Sequence, residues 1–298
     1  MSKNNPSSLG AVLQALFVTF LWSTSWVFIK FGLTDIPALT FAGLRYSLAF
    51  LCLVPFALRP KQLAGLRPLS GWGWIRLIGL GLLFYTATQG AQFLSLAYLP
   101  AITVNLLLSF TTVLVTLLGI ALLAEQPSPL QWAGVGLYLV GAVIYFYPAA
   151  FPAGQLFGLI VALVGVLANA LSTILGRYIN RTGDISPLAV TVVSMGIGAV
   201  VLLGVGLVSQ GLPPLSPLNW ATIIWLALVN TAFAFTLWNH TLRRLTALES
   251  SIINNTMMIQ IPILALLFLG EQLSWREGIG MILAGVGIVV VQFRQKRI

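Results

Sequence analysis

Long apolar runs, broken at intervals of about twenty residues by proline, glycine or charge, leave this chain of 298 residues few ways to fold. A bilayer's hydrocarbon core is ~30 Å thick, and a helix needs roughly 20 apolar residues to cross it. Only 7% of the residues are charged and 58% are apolar, whereas a soluble domain is roughly a quarter charged. A water-soluble globular fold is excluded. Ten spanning helices would take up nearly the whole chain and leave only short loops. Runs of this length also argue against an outer-membrane barrel, whose strands alternate over ~10 residues. The expected fold class is an all-α integral membrane protein. Helices are expected at about 11–33, 38–58, 74–97, 100–123, 129–147, 154–177, 186–208, 219–242, 248–270 and 275–293. The breaks carry Asp35-Ile36-Pro37, Pro127-Ser128-Pro129, Pro148 to Pro152 and Pro213-Pro214.

Charge placement orients this stack. If the N-terminus is cytoplasmic, the inner side collects Lys3, Arg59, Lys61, Arg67, Arg76, Arg177, Arg181, Arg243, Arg244, Arg294, Lys296 and Arg297. The outer side holds Lys30 and Arg276, and Arg45 lies inside the membrane. A split of twelve to two over short alternating loops is a positive-inside signal, so both termini are expected on the cytoplasmic side of a bacterial inner membrane. The net charge of +9 is thus topology, and no nucleic-acid partner is expected. The N-terminal run is too long for a cleavable signal and reads as the first span. Cys52 is the one cysteine, which excludes an internal disulfide and any multi-cysteine metal site.

The chain repeats itself. At a shift of 146 residues Trp74 falls on Trp220, Ala101 on Ala247, Glu125 on Glu271 and Gln126 on Gln272. Gly134, Leu137, Gly141 and Val143 fall on Gly280, Leu283, Gly287 and Val289. Two repeats follow, 1–147 and 148–298, each of five helices. Five is odd, so the second half enters the membrane with the opposite polarity. Inverted repeats are typical of secondary transporters, whose substrate site lies near the midplane between the halves.

Several residues carry a family likeness. They are Trp22-Ser23-Thr24-Ser25 with Lys30 in helix 1, Arg45 followed by an aromatic in helix 2, and Leu237-Trp238-Asn239 before Arg243-Arg244 in helix 8. The Glu-Gln endings of helices 4 and 9, each followed by a Gly-rich helix, complete the set. Together these resemble the ten-helix EamA-type carriers of the drug/metabolite transporter superfamily, and within it the bacterial amino-acid and metabolite exporters, including those of the YddG aromatic amino-acid type. The resemblance implies export of amino acids and related amphipathic metabolites. One departure is plain: such carriers often have proline thirteen residues before the helix-4 Glu, where this chain has Thr112.

Polar residues inside the spans are the candidate substrate contacts. Tyr85, Gln89, Gln92 and Ser95 share a face of helix 3, and Asn105, Ser109, Thr112 and Thr116 a face of helix 4. Helix 9 offers Ser251, Asn254, Asn255 and Met258, helix 6 Asn169, helix 8 Asn230 and Trp238, and helix 1 Trp22 and Trp26. Each also has a structural reading: interhelical hydrogen bonding for the amides and hydroxyls, packing for the rings. Arg45 is either a receptor for a carboxylate or a structural charge bonded to backbone carbonyls. The expectation is a midplane site walled by aromatics, with a polar vestibule on each side opened in alternation. Glu125 and Glu271 stand at helix C-termini, where the dipole disfavours them, so something local must compensate. The glycines of helices 5 and 10 read as close packing, within the chain or between two copies of a homodimer.

Other functions fit poorly. No G-x-x-x-x-G-K-[ST] loop is present. No predicted span holds a deep acid, and His240 lacks ligand partners at metal spacing. Neither an enzyme nor a cofactor or metal site is therefore expected. A secondary carrier for a small molecule is the leading reading, with broad drug efflux or a passive facilitator as alternatives.

Overall fold

The computed structural model describes residues 6–59, 62, 66, 68–123, 128–148, 152–182, 185–241, 244–245 and 247–292. Among these residues every regular element is helical. Ten segments follow in order: α1 (Pro6–Gly32), α2 (Ala38–Ala57), α3 (Gly71–Tyr98), α4 (Ala101–Ser109 with Thr111–Leu123) and α5 (Pro129–Phe146). They continue with α6 (Ala153–Thr182), α7 (Pro187–Gln210), α8 (Pro217–Ala227, Leu228–Phe233 and Ala234–Thr241), α9 (Ala247–Asn255 with Met257–Phe268) and α10 (Trp275–Gln292). Among the described residues nine are long and apolar enough to span a membrane. A tenth helix, Ile252–Phe268, is apolar but shorter. The chain is a multi-pass membrane protein, helical in every regular element among the described residues.

Caps, rather than hydropathy, fix where several helices begin. Ser128, Ser186 and Ser216 each precede a proline at the first helical position. Their hydroxyls accept from the backbone N–H groups of Gln131 (3.3 Å), Ala189 (3.2 Å) and Asn219 (3.1 Å). Ser70 caps α3 in the same way through Gly73. Hence α3 starts at Gly71 and α8 at Pro217, earlier than the expected 74 and 219. Likewise α1 starts at Pro6 and α6 runs on to Thr182. An apolar window reports the stretch that suits lipid; the cap reports where the backbone turns.

Four of the expected helices are not continuous α-helix. Helix α3 contains a π-helical stretch, Gly81–Thr88, and α8 another, Leu228–Phe233. In each a threonine hydroxyl donates to the carbonyl five residues back, Thr88 to Leu83 and Thr231 to Leu226, both at 2.8 Å. Helix α4 is interrupted at Phe110 and α9 at Thr256. There Ser109 and Thr256 return hydroxyl bonds to Leu106 and Ile253, which bends a helix. These irregularities obey the 146-residue shift: 110 maps to 256, and 81–88 to 227–234. The capping pair Ser128 and Gln131 likewise maps onto Ser274 and Glu277.

The chain forms two compact units, one of Met1–Val27, Pro100–Ala153 and Phe233–Ile298, the other of Phe28–Leu99 and Gly154–Ala232. In the first, α5 and α10 lie in backbone contact. A Cβ on Gly134 would stand 2.7 Å from the Val291 nitrogen, and one on Gly141 2.5 Å from that of Ala284. Reciprocally, a Cβ on Gly280 would stand 2.6 Å from the Tyr145 nitrogen and one on Gly287 2.5 Å from that of Tyr138. Rising numbers on one helix meet falling numbers on the other, so the pair is antiparallel. The shift of 146 exchanges the two sets of contacts. In the second unit α2 packs along α7 with Gly43 against Leu203 and Gly206 against Thr40. The glycines thus act as close-packing residues inside the chain.

Candidate functional site

In the second unit a polar cluster surrounds the α3 and α8 irregularities. Arg45, on α2, is only 4% exposed. Its Nε donates to the Thr231 hydroxyl at 3.0 Å, and Thr231 donates in turn to Leu226 across the π-turn. The guanidinium carbon lies 5.3 Å from the Tyr46 ring centre and 5.8 Å from that of Phe93. The Tyr46 hydroxyl donates to Gln89 Oε1 at 2.6 Å, and its ring meets Tyr85 edge-on at 5.6 Å. Glycine makes room: Gly198 of α7 stands where a Cβ would come 2.6 Å from Tyr85 Cβ. Asn230 is fully buried in the α8 π-turn.

Among the described residues no carboxylate hydrogen-bonds Arg45. A guanidinium has five N–H donors in a planar fork, and Arg45 uses one of them. Rings beside its carbon favour the cation without occupying the remaining donors, which suit a carboxylate oxygen pair. Short π-stretches in α-helices are frequent at functional positions, because they redirect side chains and loosen the backbone ladder. Of the other expected contacts in this unit, Gln92 is half-buried, and the half-buried Asn169 receives the Ser172 and Thr173 hydroxyls on its carbonyl.

The first unit holds the remaining candidates. Trp22 lies 5.3 Å from Phe235 and 5.2 Å from Trp238, and its buried Nε1 has no hydrogen-bond partner. The Asn105 and Asn255 amides each keep an unpartnered buried nitrogen. Trp26 and Met258 are buried, whereas Asn254 is exposed. Ser109 donates to Leu106 at 2.5 Å and lies 3.3 Å from the Tyr138 hydroxyl, so it ties α4 to α5. Side chains of Ser251 and Asn239, and all of Glu125, lie outside what is described.

Sequence reasoning missed a ladder between α1 and α9. Ser23 donates to Gln260 at 2.8 Å, and Gln260 donates to Thr256 (3.0 Å) and Thr19 (3.3 Å). It also missed Thr231, and marked Tyr46 only as the aromatic after Arg45 and not as a site residue. A register signal exists for Thr231, which falls on Tyr85 under the repeat shift.

Glu271 shows what compensates a carboxylate at a helix C-terminus. It accepts from the Ala101 (2.5 Å) and Ile102 (3.0 Å) nitrogens at the start of α4, so the local dipole penalty is offset by a second helix's N-terminus. In the other unit Lys30 donates to the Leu99 carbonyl at 2.7 Å. Replacing Glu271 by Ala leaves two N–H groups bare, a loss of about 2 kcal/mol or more. A drop in melting temperature in detergent of roughly 5 °C or more is expected. An unchanged melting temperature would show the capping bonds to be idle.

Known proteins share this architecture. The model of the EamA-like transporter family matches residues 9–147 and again 156–293. An uncharacterized transporter of Archaeoglobus fulgidus is 26% identical, over 92% of this chain and 94% of that one. A Salmonella typhimurium protein named a probable amino-acid metabolite efflux pump is 25% identical, over 95% of each chain. A solved crystal structure superposes with a TM-score of 0.66 at 18% identity, over 95% of this chain and 97% of the other, which concerns the fold alone.

Proposed function

The chain belongs to the EamA-like transporter family, and from that premise we propose that it exports amino acids and related amphipathic metabolites by alternating access. The observation that carries the substrate class is Arg45: a cation in an apolar span, held by one hydrogen bond and two rings, with no acid bonded to it among the described residues. An intramembrane charge is costly and is kept where it serves a ligand or pathway. In this reading Arg45 takes the substrate carboxylate. Tyr85, Gln89, Gln92, Asn169 and Asn230 form polar surroundings in the same unit. In the other unit the proposed contacts are the rings of Trp22, Trp26 and Trp238, the amides of Asn105, Asn254 and Asn255, the Ser109 hydroxyl and the Met258 thioether. Relatives named as amino-acid metabolite efflux pumps are consistent with this class.

The transport cycle uses two inverted repeats, 1–147 and 148–298, with both termini cytoplasmic in a bacterial inner membrane. Support comes from the twofold family match, the mapping of one set of irregularities onto the other, and the antiparallel packing of the repeat-equivalent helices α5 and α10. A homodimer along these helices would use their outward side, where Gly136 has open space. The test is counterflow in proteoliposomes with a panel of amino acids, with and without a pH gradient. Labelled amino acid should exchange against unlabelled amino acid. Exchange of lipophilic cations alone would replace this reading with broad drug efflux, and ionic conductance without counterflow would make the protein a channel.

A further inference from the structure

The α2–α7 contact in the second unit is uneven along its length. Backbones touch where Gly43 meets Leu203 and Gly206 meets Thr40. Further along, the Phe50 ring lies over Gly196, where a Cβ would come 2.6 Å from a ring carbon. Beyond that point the α2 side contributes Val54, Ala57 and Leu58 to the lining, and α7 contributes Ala189, Val192 and Val193. A groove of about 630 Å³ results, lined by residues including Phe50, Val54, Leu58, Val193 and Val201. Its wall is almost wholly hydrocarbon and includes Leu66 from the connection to α3. Arg59 follows Leu58 directly, is exposed, and holds its guanidinium carbon 5.5 Å from the Phe56 ring.

Both helices are long and apolar enough to span a membrane, so the medium around them is lipid. Water in this groove would find no polar partner, and an empty groove would forfeit dispersion contacts along its whole lining. A lipid tail satisfies both conditions, as would any hydrocarbon. The adjoining cation adds selectivity, since an arginine near the membrane surface attracts an anionic headgroup by about 1 kcal/mol. We propose that the groove holds one acyl chain of an anionic phospholipid, whose phosphate pairs with Arg59. The site is independent of the transport reading and of its substrate.

The full chain in mild detergent, titrated with phosphatidylglycerol and with phosphatidylcholine of the same acyl chains, tests this by native mass spectrometry. Phosphatidylglycerol should bind about fivefold more tightly, the equivalent of about 1 kcal/mol. Arg59→Gln should bring it down to the phosphatidylcholine value. Val200→Trp, at a position lining the groove and 66% exposed, should crowd the groove without disturbing the core and weaken binding of both lipids. Equal affinity of the two lipids for the unaltered chain overturns the proposal, as does phosphatidylglycerol binding that either variant leaves unchanged. Gel filtration of each variant separates misfolding from loss of the site.

Discussion

Gly141→Val is expected to remove most folded protein from the membrane, while Gly136→Val in the same helix leaves the yield unaltered. The two glycines differ in what faces them. A Cβ on Gly141 would stand 2.5 Å from both the Ala284 nitrogen and the Gly280 carbonyl oxygen, whereas Gly136 has nothing within 4 Å. Overpacking costs roughly 1–3 kcal/mol where side chains can shift aside. Here the obstacles are backbone atoms of the facing helix, so α5 and α10 must part as bodies. Parting also strips the reciprocal contacts at Gly134, Gly280 and Gly287. Several such losses together approach the ~5–15 kcal/mol that holds a typical protein folded. Gly280→Val, at the repeat-equivalent position of Gly134, should behave like Gly141→Val. Fluorescence-detected gel filtration of tagged variants reads the outcome. A Gly141→Val protein with wild-type yield and melting temperature would mean that the two helices are not in backbone contact.

How much of this was legible beforehand depends on the range of the signal. Spans could be read because hydropathy over about twenty residues is a one-dimensional quantity. Glycines at 134, 141, 280 and 287 could be read as close packing because their spacing puts each pair on one helix face. The discomfort of Glu271 at a helix end was visible, but its relief was not: the Ala101 nitrogen is 170 residues away in sequence. Ser109 could be placed on the polar stripe of α4, but its bond within its own helix and its position beside Tyr138 could not, because a hydroxyl on a helix is equally able to reach a carbonyl one turn back. The π-stretches left no trace in composition, since Gly81–Thr88 and Leu228–Phe233 share no residue pattern beyond a threonine able to reach a carbonyl five back. Arg45 stood out by charge alone. Its partner Thr231 carries none, and only the backbone irregularity of α8 brings that hydroxyl to it.

Arg45 also gives the sharpest functional expectation. Arg45→Gln should lower amino-acid counterflow about hundredfold, the loss expected when two charge-assisted hydrogen bonds to a carboxylate disappear in an apolar setting. Glutamine keeps an N–H for Thr231 and stays neutral, so folding should survive, and the melting temperature checks that it does. Arg45→Lys should restore little, because an ammonium cannot supply the planar pair of donors and must leave Thr231 to reach a ligand. Loss of activity alone would not separate substrate binding from support of the α2–α8 contact. Discrimination does. The wild-type protein should prefer an amino acid over the corresponding decarboxylated amine, and Arg45→Gln should transport both at similar low rates. If the variant slows both substrates by the same factor and keeps the preference, the cation is scaffolding. The carboxylate must then be recognised elsewhere in the molecule, with the unpartnered donors of Trp22, Asn105 and Asn255 as the next residues to substitute.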